Sequence, residues 1–346
     1  MAAIPVNLIT GFLGSGKTTL LRHVLADASY ADCAVLINEL GEIGIDHHLI
    51  ERIDGETVLM RSGCVCCTIR DDLAGAIRSL YDRREAGTLP PFRRLIIETT
   101  GLADPTPVLA TIMNDVVIRH HFRLGNVITT VDAVNGEAHL DRQPESVKQA
   151  AVGDRLVITK VDIADPMAVA RLEARLAALN PAALRLRSAN AAVPLPLLVG
   201  EDAFEPATKT AEVRRWLAAE ACHDHSGPAH HHSDSSRHDS RVQAFTITFD
   251  DAVDWTVFGI WLTLLLHAHG ADVLRVKGIL NVGQGVPPVV INGVQHLVHP
   301  PLHLDRWPDG DRRSRLVFIV RDIERQAIED SLATFHRALA AEAVAA

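Results

Sequence analysis

The sequence predicts an α/β domain built on a doubly wound, mostly parallel sheet, followed by a smaller α+β domain. Three observations lead there. Over the first two thirds of the chain, short apolar runs rich in β-branched residues alternate with helical patterns, as crossover-connected parallel strands do. Near residue 221 the composition changes to His, Ser, Asp and Gly. Beyond residue 240 apolar strand patterns restart, with helices at their flanks, which suggests an antiparallel sheet. The expected divisions are therefore 1–220, 221–240 and 241–346.

Taken in order, Ile4–Thr10 reads as a strand feeding a glycine loop, and Thr18–Ala28 as the helix that follows. Ala34–Asn38, Arg94–Glu98, Asn126–Asp132 and Arg155–Thr159 are further short apolar strand candidates. Cys222–Ser240 has almost no apolar side chain, so it cannot bury enough surface to offset its ordering entropy and reads as a linker. After it, QAFTITFD is a strand, Trp255–His269 a helix, ADVLRVKGILNV and PPVVINGVQHLVH strands, RSRLVFIVRD a last strand, and Ile323–Ala341 an amphipathic helix. There is no internal repeat.

Composition narrows the function. An apolar fraction of 47% over 346 residues is ample for real cores. A formal charge of −9 argues against a nucleic-acid partner, whose phosphates need a basic face, and against an anionic membrane surface. The start MAAIPVNLITGF lacks the order of a secretory signal, and no run approaches the roughly 18 apolar residues of a membrane span. Trp255–Gly270 is interrupted too soon by His and Gly, and reads as a buried amphipathic helix. A cytosolic protein is expected, with its oligomeric state open.

Gly11-Phe12-Leu13-Gly14-Ser15-Gly16-Lys17-Thr18 fits G-x-x-x-x-G-K-[ST] at every position, between a predicted strand and a predicted helix. In such a phosphate loop Gly11, Gly14, Ser15 and Gly16 wrap backbone N–H groups around a β-phosphate, and the helix N-terminus adds its partial positive charge. Lys17 reaches the β- and γ-phosphates, Thr18 binds Mg²⁺ through its hydroxyl, and Thr19 continues the loop into the helix. The alternative is a glycine-rich turn that matches by chance.

Thr159-Lys160-Val161-Asp162 ends another strand candidate and is close to the N-K-x-D loop with which GTPases read the base. A carboxylate at Asp162 accepts two hydrogen bonds that guanine offers and adenine does not, while Lys160 lays its aliphatic stem on the ring. Thr159 departs from the usual Asn, which puts one structural hydrogen bond in question; an ordinary polar strand end is the alternative. On a third strand, Glu98 stands where a phosphate-loop NTPase holds Mg²⁺ through water, and Gly101 can offer its N–H to a γ-phosphate. A surface glutamate is the bland reading of Glu98.

Together with the cysteine cluster Gly63-Cys64-Val65-Cys66-Cys67, these motifs resemble the CobW-type metallochaperone GTPases, relatives of the nickel-insertion GTPases that serve urease and hydrogenase. GFLGSGKTT at 11–19, Asn38-Glu39 with Gly41 and Asp46 in INELGEIGID, ETTGLADP at 98–105, TKVD, a His-rich linker and a C-terminal domain of suitable size all match, so the resemblance spans nearly the whole chain. It implies a GTPase fold with a smaller ferredoxin-like domain. It further implies GTP hydrolysis that is slow without a partner, and delivery of Zn²⁺, or in some members Co²⁺, to a metal-requiring client protein.

The cysteine chemistry points the same way independently. The chain is long and holds only five cysteines, whereas disulfide scaffolds are short, cysteine-dense and exported. Cys64 and Cys66 are two apart and Cys66 and Cys67 are adjacent, where C-x-x-C is the common redox spacing, and a bond between Cys66 and Cys67 would close a strained ring. If the segment is extended, Cys64 and Cys66 share a face and can chelate a soft ion such as Zn²⁺; in a turn, Cys67 replaces either. Glu39 and Glu42 are candidate further ligands. Buried thiols acting as small hydrophobes, or a redox-sensing thiol, are the alternatives. If the cysteine site lies near the loop at 38–46, which in GTPases rearranges with the γ-phosphate, nucleotide state and metal affinity become linked reciprocally; Asp46, in that loop, is the candidate to orient the attacking water.

His223, His225, His230, His231, His232 and His238 crowd sixteen residues of the linker and can hold Zn²⁺, Ni²⁺ or Co²⁺ weakly, either as a collecting tether or incidentally. The histidines of the C-terminal domain are read as surface or core residues. The resulting expectation is a metal-regulated GTPase using GTP, Mg²⁺ and Zn²⁺ or Co²⁺. Two rivals stand beside it: a phosphate-loop kinase with an incidental cysteine cluster, and a non-catalytic metal buffer working through the histidine segment.

Overall fold

The computed structural model describes residues 3–30, 32–37, 50–52, 57–60, 65–68, 72–190, 192–200, 213 and 241–345. The chain divides into two compact units, 1–175 with 183–205, and 176–182 with 206–346.

In the first unit the chain runs β1 (Ile4–Gly11), α1 (Lys17–Ala26), β2 (Cys33–Ile37), β3 (Ile50–Arg52), β4 (Thr57–Met60), β5 (Val65–Thr68), α2 (Leu73–Glu85), β6 (Arg94–Glu98), α3 (Thr106–Asn114), α4 (Ile118–His121), β7 (Phe122–Asp132), α5 (Gly136–Arg142), α6 (Pro144–Val152), β8 (Arg155–Thr159), α7 (Pro166–Leu179, its end counted with the second unit) and β9 (Leu184–Ser188). The sheet order is β3-β4-β5-β2-β6-β1-β7-β8-β9. From β5 to β9 every pairing is parallel, whereas β3, β4 and β5 form an antiparallel extension at one edge. The parallel strands are buried on both faces, which is why β1, β2, β6 and β8 read as continuous apolar runs rather than alternating ones. One core joins Leu20, Leu21, Val24 and Leu25 of α1 to Ile9, Val35, Ile96, Ile128 and Val157 of five neighbouring strands. Cys33 is buried in it as a small hydrophobe.

The second unit contains β10 (Val242–Phe249), α8 (Trp255–His269), β11 (Val273–Leu280), β12 (Val289–Val294), β13 (Leu297–Val298), β14 (Leu302–His303), β15 (Ser314–Arg321) and α9 (Arg325–Ala345). Its sheet is antiparallel in the order β10-β15-β11-β12-β13, with β14 on β12. Asp254 starts α8 by accepting the Val257 N–H at 2.9 Å. Phe258 and Trp261 of that helix pack on Phe318 and the apolar face of the sheet.

Several local expectations shift. The first helix ends at Ala26, because Asp27 is extended. PPVVINGVQHLVH folds back on itself at Gln295, whose φ of 49° makes the turn between β12 and β13. Helix α8 buries one face and leaves Trp255, Ile260 and Leu264 exposed on the other, so it is less buried than its sequence suggests. Among the described residues, no helix is long and apolar enough to cross a membrane.

Candidate nucleotide site

The register of the central strands brings the sequence-predicted residues to one place. Ile9 pairs with Glu98, Gly11 with Thr130, and Asp132 with Thr159, so the carboxyl ends of β1, β6, β7 and β8 lie side by side. Carboxyl ends of parallel strands are where open α/β sheets bind ligands.

The loop after β1 has the conformation that its glycines permit: Gly11, Gly14 and Gly16 all have positive φ, at 141°, 70° and 94°. Gly16 stands at the N-cap of α1 with no side-chain cap, and the first turn carries no acidic residue. The helix therefore presents an N-terminus with neither a side-chain cap nor an acidic neighbour in its first turn, as an anion would need it. Ser15 is anchored below by a hydroxyl–hydroxyl hydrogen bond to Thr130, at 2.6 Å. Lys17 is buried and folds back over the loop, its Nζ donating to the Gly11 carbonyl at 3.0 Å and the Phe12 carbonyl at 3.2 Å. Thr19 is exposed at the top of the first turn.

Thr18 donates its hydroxyl to Glu98 Oε1 at 2.6 Å, and Glu98 is only 1% exposed. An alcohol and a carboxylate so placed are hard oxygen donors of the type Mg²⁺ takes. Three residues on, Gly101 comes against the phosphate loop so closely that a Cβ there would lie 2.7 Å from the Leu13 nitrogen and 2.8 Å from its Cα.

At the other side of the site, Thr159 Oγ1 lies 2.8 Å from the Ser15 carbonyl. Thr159, standing where the motif has Asn, thus makes a buried hydrogen bond to the phosphate loop. Lys160 adopts φ 59°, a left-handed conformation uncommon for a side-chain-bearing residue, and its Nζ reaches Asp132 Oδ2 at 2.7 Å. Asp132 also accepts the Val134 N–H at 2.8 Å and the Asn135 side-chain amide at 3.1 Å. Burial pushes its carboxyl upward, but the hydrogen bonds from Lys160, Asn135 and Val134, with the charge of Lys160, outweigh burial and hold it below its ordinary 3.8. Beside this group the His139 ring stacks at a tilt on Phe12, centroids 4.6 Å apart. Burial lowers its pKa below the ordinary 6.5, against the opposing pull of Asp132. Asp162 is exposed, and its Oδ1 accepts the Asn190 N–H at 3.4 Å.

Sequence reasoning did not single out Thr130, Asp132, His139 or the Ser188–Asn190 loop. β9, which delivers that loop, reads LRLRS and carries no apolar run to mark it. Asp132 and His139 gain their place from β7 and α5, and the one available signal was a polar residue ending an apolar strand, the same signal that marked Glu98.

The metal expectations rest mostly on residues outside the described ones. The backbone is extended over Val65–Thr68, where Cys66 pairs with Val35 and Val58, and Cys67 with Leu36 and Thr57. Cys64, Glu39, Glu42, Asp46 and the linker histidines His223, His225, His230, His231, His232 and His238 lie outside the described residues. Among the described residues there is no group of three or more His, Cys, Asp or Glu able to hold a metal ion.

Comparison with known proteins decides the family. The profile described as "CobW/HypB/UreG, nucleotide-binding domain" matches residues 5–186, and that of the "Cobalamin synthesis protein cobW C-terminal domain" matches 242–336. The chain belongs to the CobW/HypB/UreG family. Among CobW-type relatives, it is 30% identical over 334 residues to the zinc chaperone YjiA of Escherichia coli, covering 96% of this chain and 99% of that one. It is 31% identical over 370 residues to the zinc chaperone CobW of Pseudomonas aeruginosa, covering 96% and 92%. The crystal structure of Zn(II)-bound YjiA GTPase from E. coli superimposes with a TM-score of 0.74 at 28% identity, over 97% of this chain and 99% of that one. The described architecture is accordingly that of a CobW-type protein, a phosphate-loop α/β unit followed by an antiparallel sheet unit.

Proposed function

We propose that this chain is a GTP-hydrolysing metallochaperone that takes Zn²⁺, with Co²⁺ as the second candidate, as cargo at Cys64, Cys66 and Cys67 and passes it to a metal-requiring client protein. The observation that carries the nucleotide half is the convergence of Lys17, the Thr18–Glu98 hydrogen bond and the Thr159–Lys160 loop on the ends of four adjacent strands. Support for the metal half comes from the names of the relatives, two zinc chaperones and a zinc-bound GTPase, and from the thiol cluster itself.

In this reading Lys17 leaves the Gly11 and Phe12 carbonyls for the β- and γ-phosphates, a short movement for a side chain already lying over the loop. Thr18 and Glu98 hold Mg²⁺, which supplies charge neutralisation of the phosphates. Gly101 offers its N–H to the γ-phosphate, and Asp162 reads guanine while Lys160, fixed by Asp132, lies along the ring. Asp46 orients the attacking water. Glu39 and Glu42 complete the cargo site, and the linker histidines load it. GTP that favours the metal-holding arrangement is itself held more tightly when metal is present, so hydrolysis releases the cargo.

The test is a competition titration of Zn²⁺ and Co²⁺ into the full-length protein with GDP, with a non-hydrolysable GTP analogue and without nucleotide, beside a Cys64/Cys66/Cys67→Ala variant. Affinity that rises with the analogue and vanishes in the variant is expected. Affinity indifferent to nucleotide and unchanged in the variant would overturn the proposal and move the metal to the histidine segment. Preference for ATP, or turnover that needs an acceptor molecule, would mark a kinase.

A further inference from the structure

Helix α6 grips the segment that follows Glu98. Gln149, 1% exposed on that helix, places its Nε2 3.2 Å from the Gly101 carbonyl and 3.0 Å from the Ala103 carbonyl. A side-chain amide nitrogen has two hydrogens, and here both are directed at carbonyls two residues apart; the amide oxygen cannot take that place, because carbonyls accept and do not donate. Its own Oε1 is buried with no hydrogen-bond partner among the described residues. Methionine in its place would remove the unpartnered oxygen together with both donors. The helix is in turn tied to the sheet, since Thr129 donates its hydroxyl to the Gln149 carbonyl at 2.7 Å.

The neighbouring residue holds the far end of the same segment. Lys148 Nζ lies 3.3 Å from Asp104 Oδ2, and Asp104 Oδ1 accepts the Thr106 N–H at 2.9 Å where α3 begins. On its opposite side Gly101 abuts Leu13 of the phosphate loop. Residues 101–104 are thus held between the phosphate loop and α6; the Thr100 carbonyl, which shares its peptide plane with the Gly101 N–H, accepts the Ala103 N–H at 3.2 Å, so the direction of the Gly101 N–H follows from the turn whose Gly101 and Ala103 carbonyls Gln149 holds.

We propose that Gln149 is a positioning residue for GTP: by holding the Gly101 and Ala103 carbonyls it sets the Gly101 N–H where a γ-phosphate is met, with Lys148 as a second hold through Asp104. The proposal rests on the nucleotide reading above and adds to it a residue by which the protein tells GTP from GDP. GDP lacks the γ-phosphate and makes no use of Gly101, so a defect at Gln149 falls on one nucleotide and spares the other.

Full-length Gln149→Met and Lys148→Met are compared with wild type for affinity toward GDP and toward a non-hydrolysable GTP analogue, both with Mg²⁺, and for kcat and KM of GTP hydrolysis. Gln149→Met is expected to weaken the analogue roughly tenfold and lower kcat, while GDP affinity stays within about twofold. Lys148→Met, changed at a partly exposed side chain and therefore tolerant, moves the same ratio in the same direction by less, and it carries the test if Gln149→Met fails to fold. Equal weakening of both nucleotides, or an unchanged ratio in the folded variants, overturns the proposal while the GTPase reading stands. A wild type that binds neither nucleotide overturns the GTPase reading and this one with it.

Discussion

The Thr159 hydroxyl and the Ser15 carbonyl lie 2.8 Å apart across 144 residues of sequence, and they join the end of β8 to the phosphate loop after β1. Because both atoms are buried, neither exchanges this contact for water at no cost.

Thr159→Val keeps the shape of the side chain and removes the hydroxyl, leaving the Ser15 carbonyl without this donor. The expected loss is about 1 kcal/mol, which lowers the thermal midpoint by about 2–4 °C in a domain of this size. GDP and GTP-analogue affinities should fall together, since in the proposed reading the loop serves the base, which is common to both. Calorimetry that finds both midpoint and affinities unchanged would remove the strut role.

Glu98→Gln leaves an oxygen to accept from Thr18, so the fold should persist with one buried negative charge fewer. Nucleotide affinity measured in EDTA is expected to match wild type, while its enhancement by Mg²⁺ is lost and kcat falls by roughly 10²–10³. Hydrolysis within about twofold of wild type would take Glu98 out of the catalytic machinery.

His139 and Asp132 give the site a pH dependence whose sign can be worked out. Burial depresses the His139 pKa, so below about 6.5 the unfolded chain binds a proton that the folded chain resists, and stability falls with pH through that window. Asp132 is held below its ordinary 3.8, so its contribution is present above that value and is lost on further acidification. In urea titrations across pH 7.5 to about 5, the stability of His139→Phe relative to wild type is therefore expected to rise as pH falls. A difference that stays flat with pH would show that His139 is not desolvated in solution.

Deleting 223–238 removes the six linker histidines and leaves every described residue of the nucleotide site in place. Total Zn²⁺ capacity by equilibrium dialysis should drop, with GTP hydrolysis nearly intact. Hydrolysis lost along with the segment would make it structural rather than a collecting tether.

The phosphate loop was legible because its chemistry is local. Three glycines, a lysine and a threonine in eight positions suffice to specify backbone curvature, charge and a hydroxyl, and the strand before and helix after follow from apolar pattern and length. Glu98 and the Thr159–Asp162 loop were legible for a similar reason, each being a polar end on an apolar parallel strand. Less visible was the edge extension of β3 and β4, three and four residues long, too short to leave a periodic signal. The partner of Thr159 was also hidden, since a threonine in place of asparagine announces a departure from the motif and not which carbonyl its hydroxyl meets.

The sequence by itself determined the two-part α/β and α+β architecture, the phosphate loop, the polar ends of the strands at Glu98 and Thr159 and the presence of a thiol cluster, because each is written within a few consecutive residues. Only the tertiary structure decided that Lys160 is held by Asp132, that His139 stacks on Phe12, that Gly101 is closed in by Leu13, and that Gln149 secures Gly101 and Ala103 from a helix more than forty residues away. The reason is register: parallel strands joined by crossover helices place residues together according to sheet order, and that order depends on which buried faces fit, a property of the folded whole.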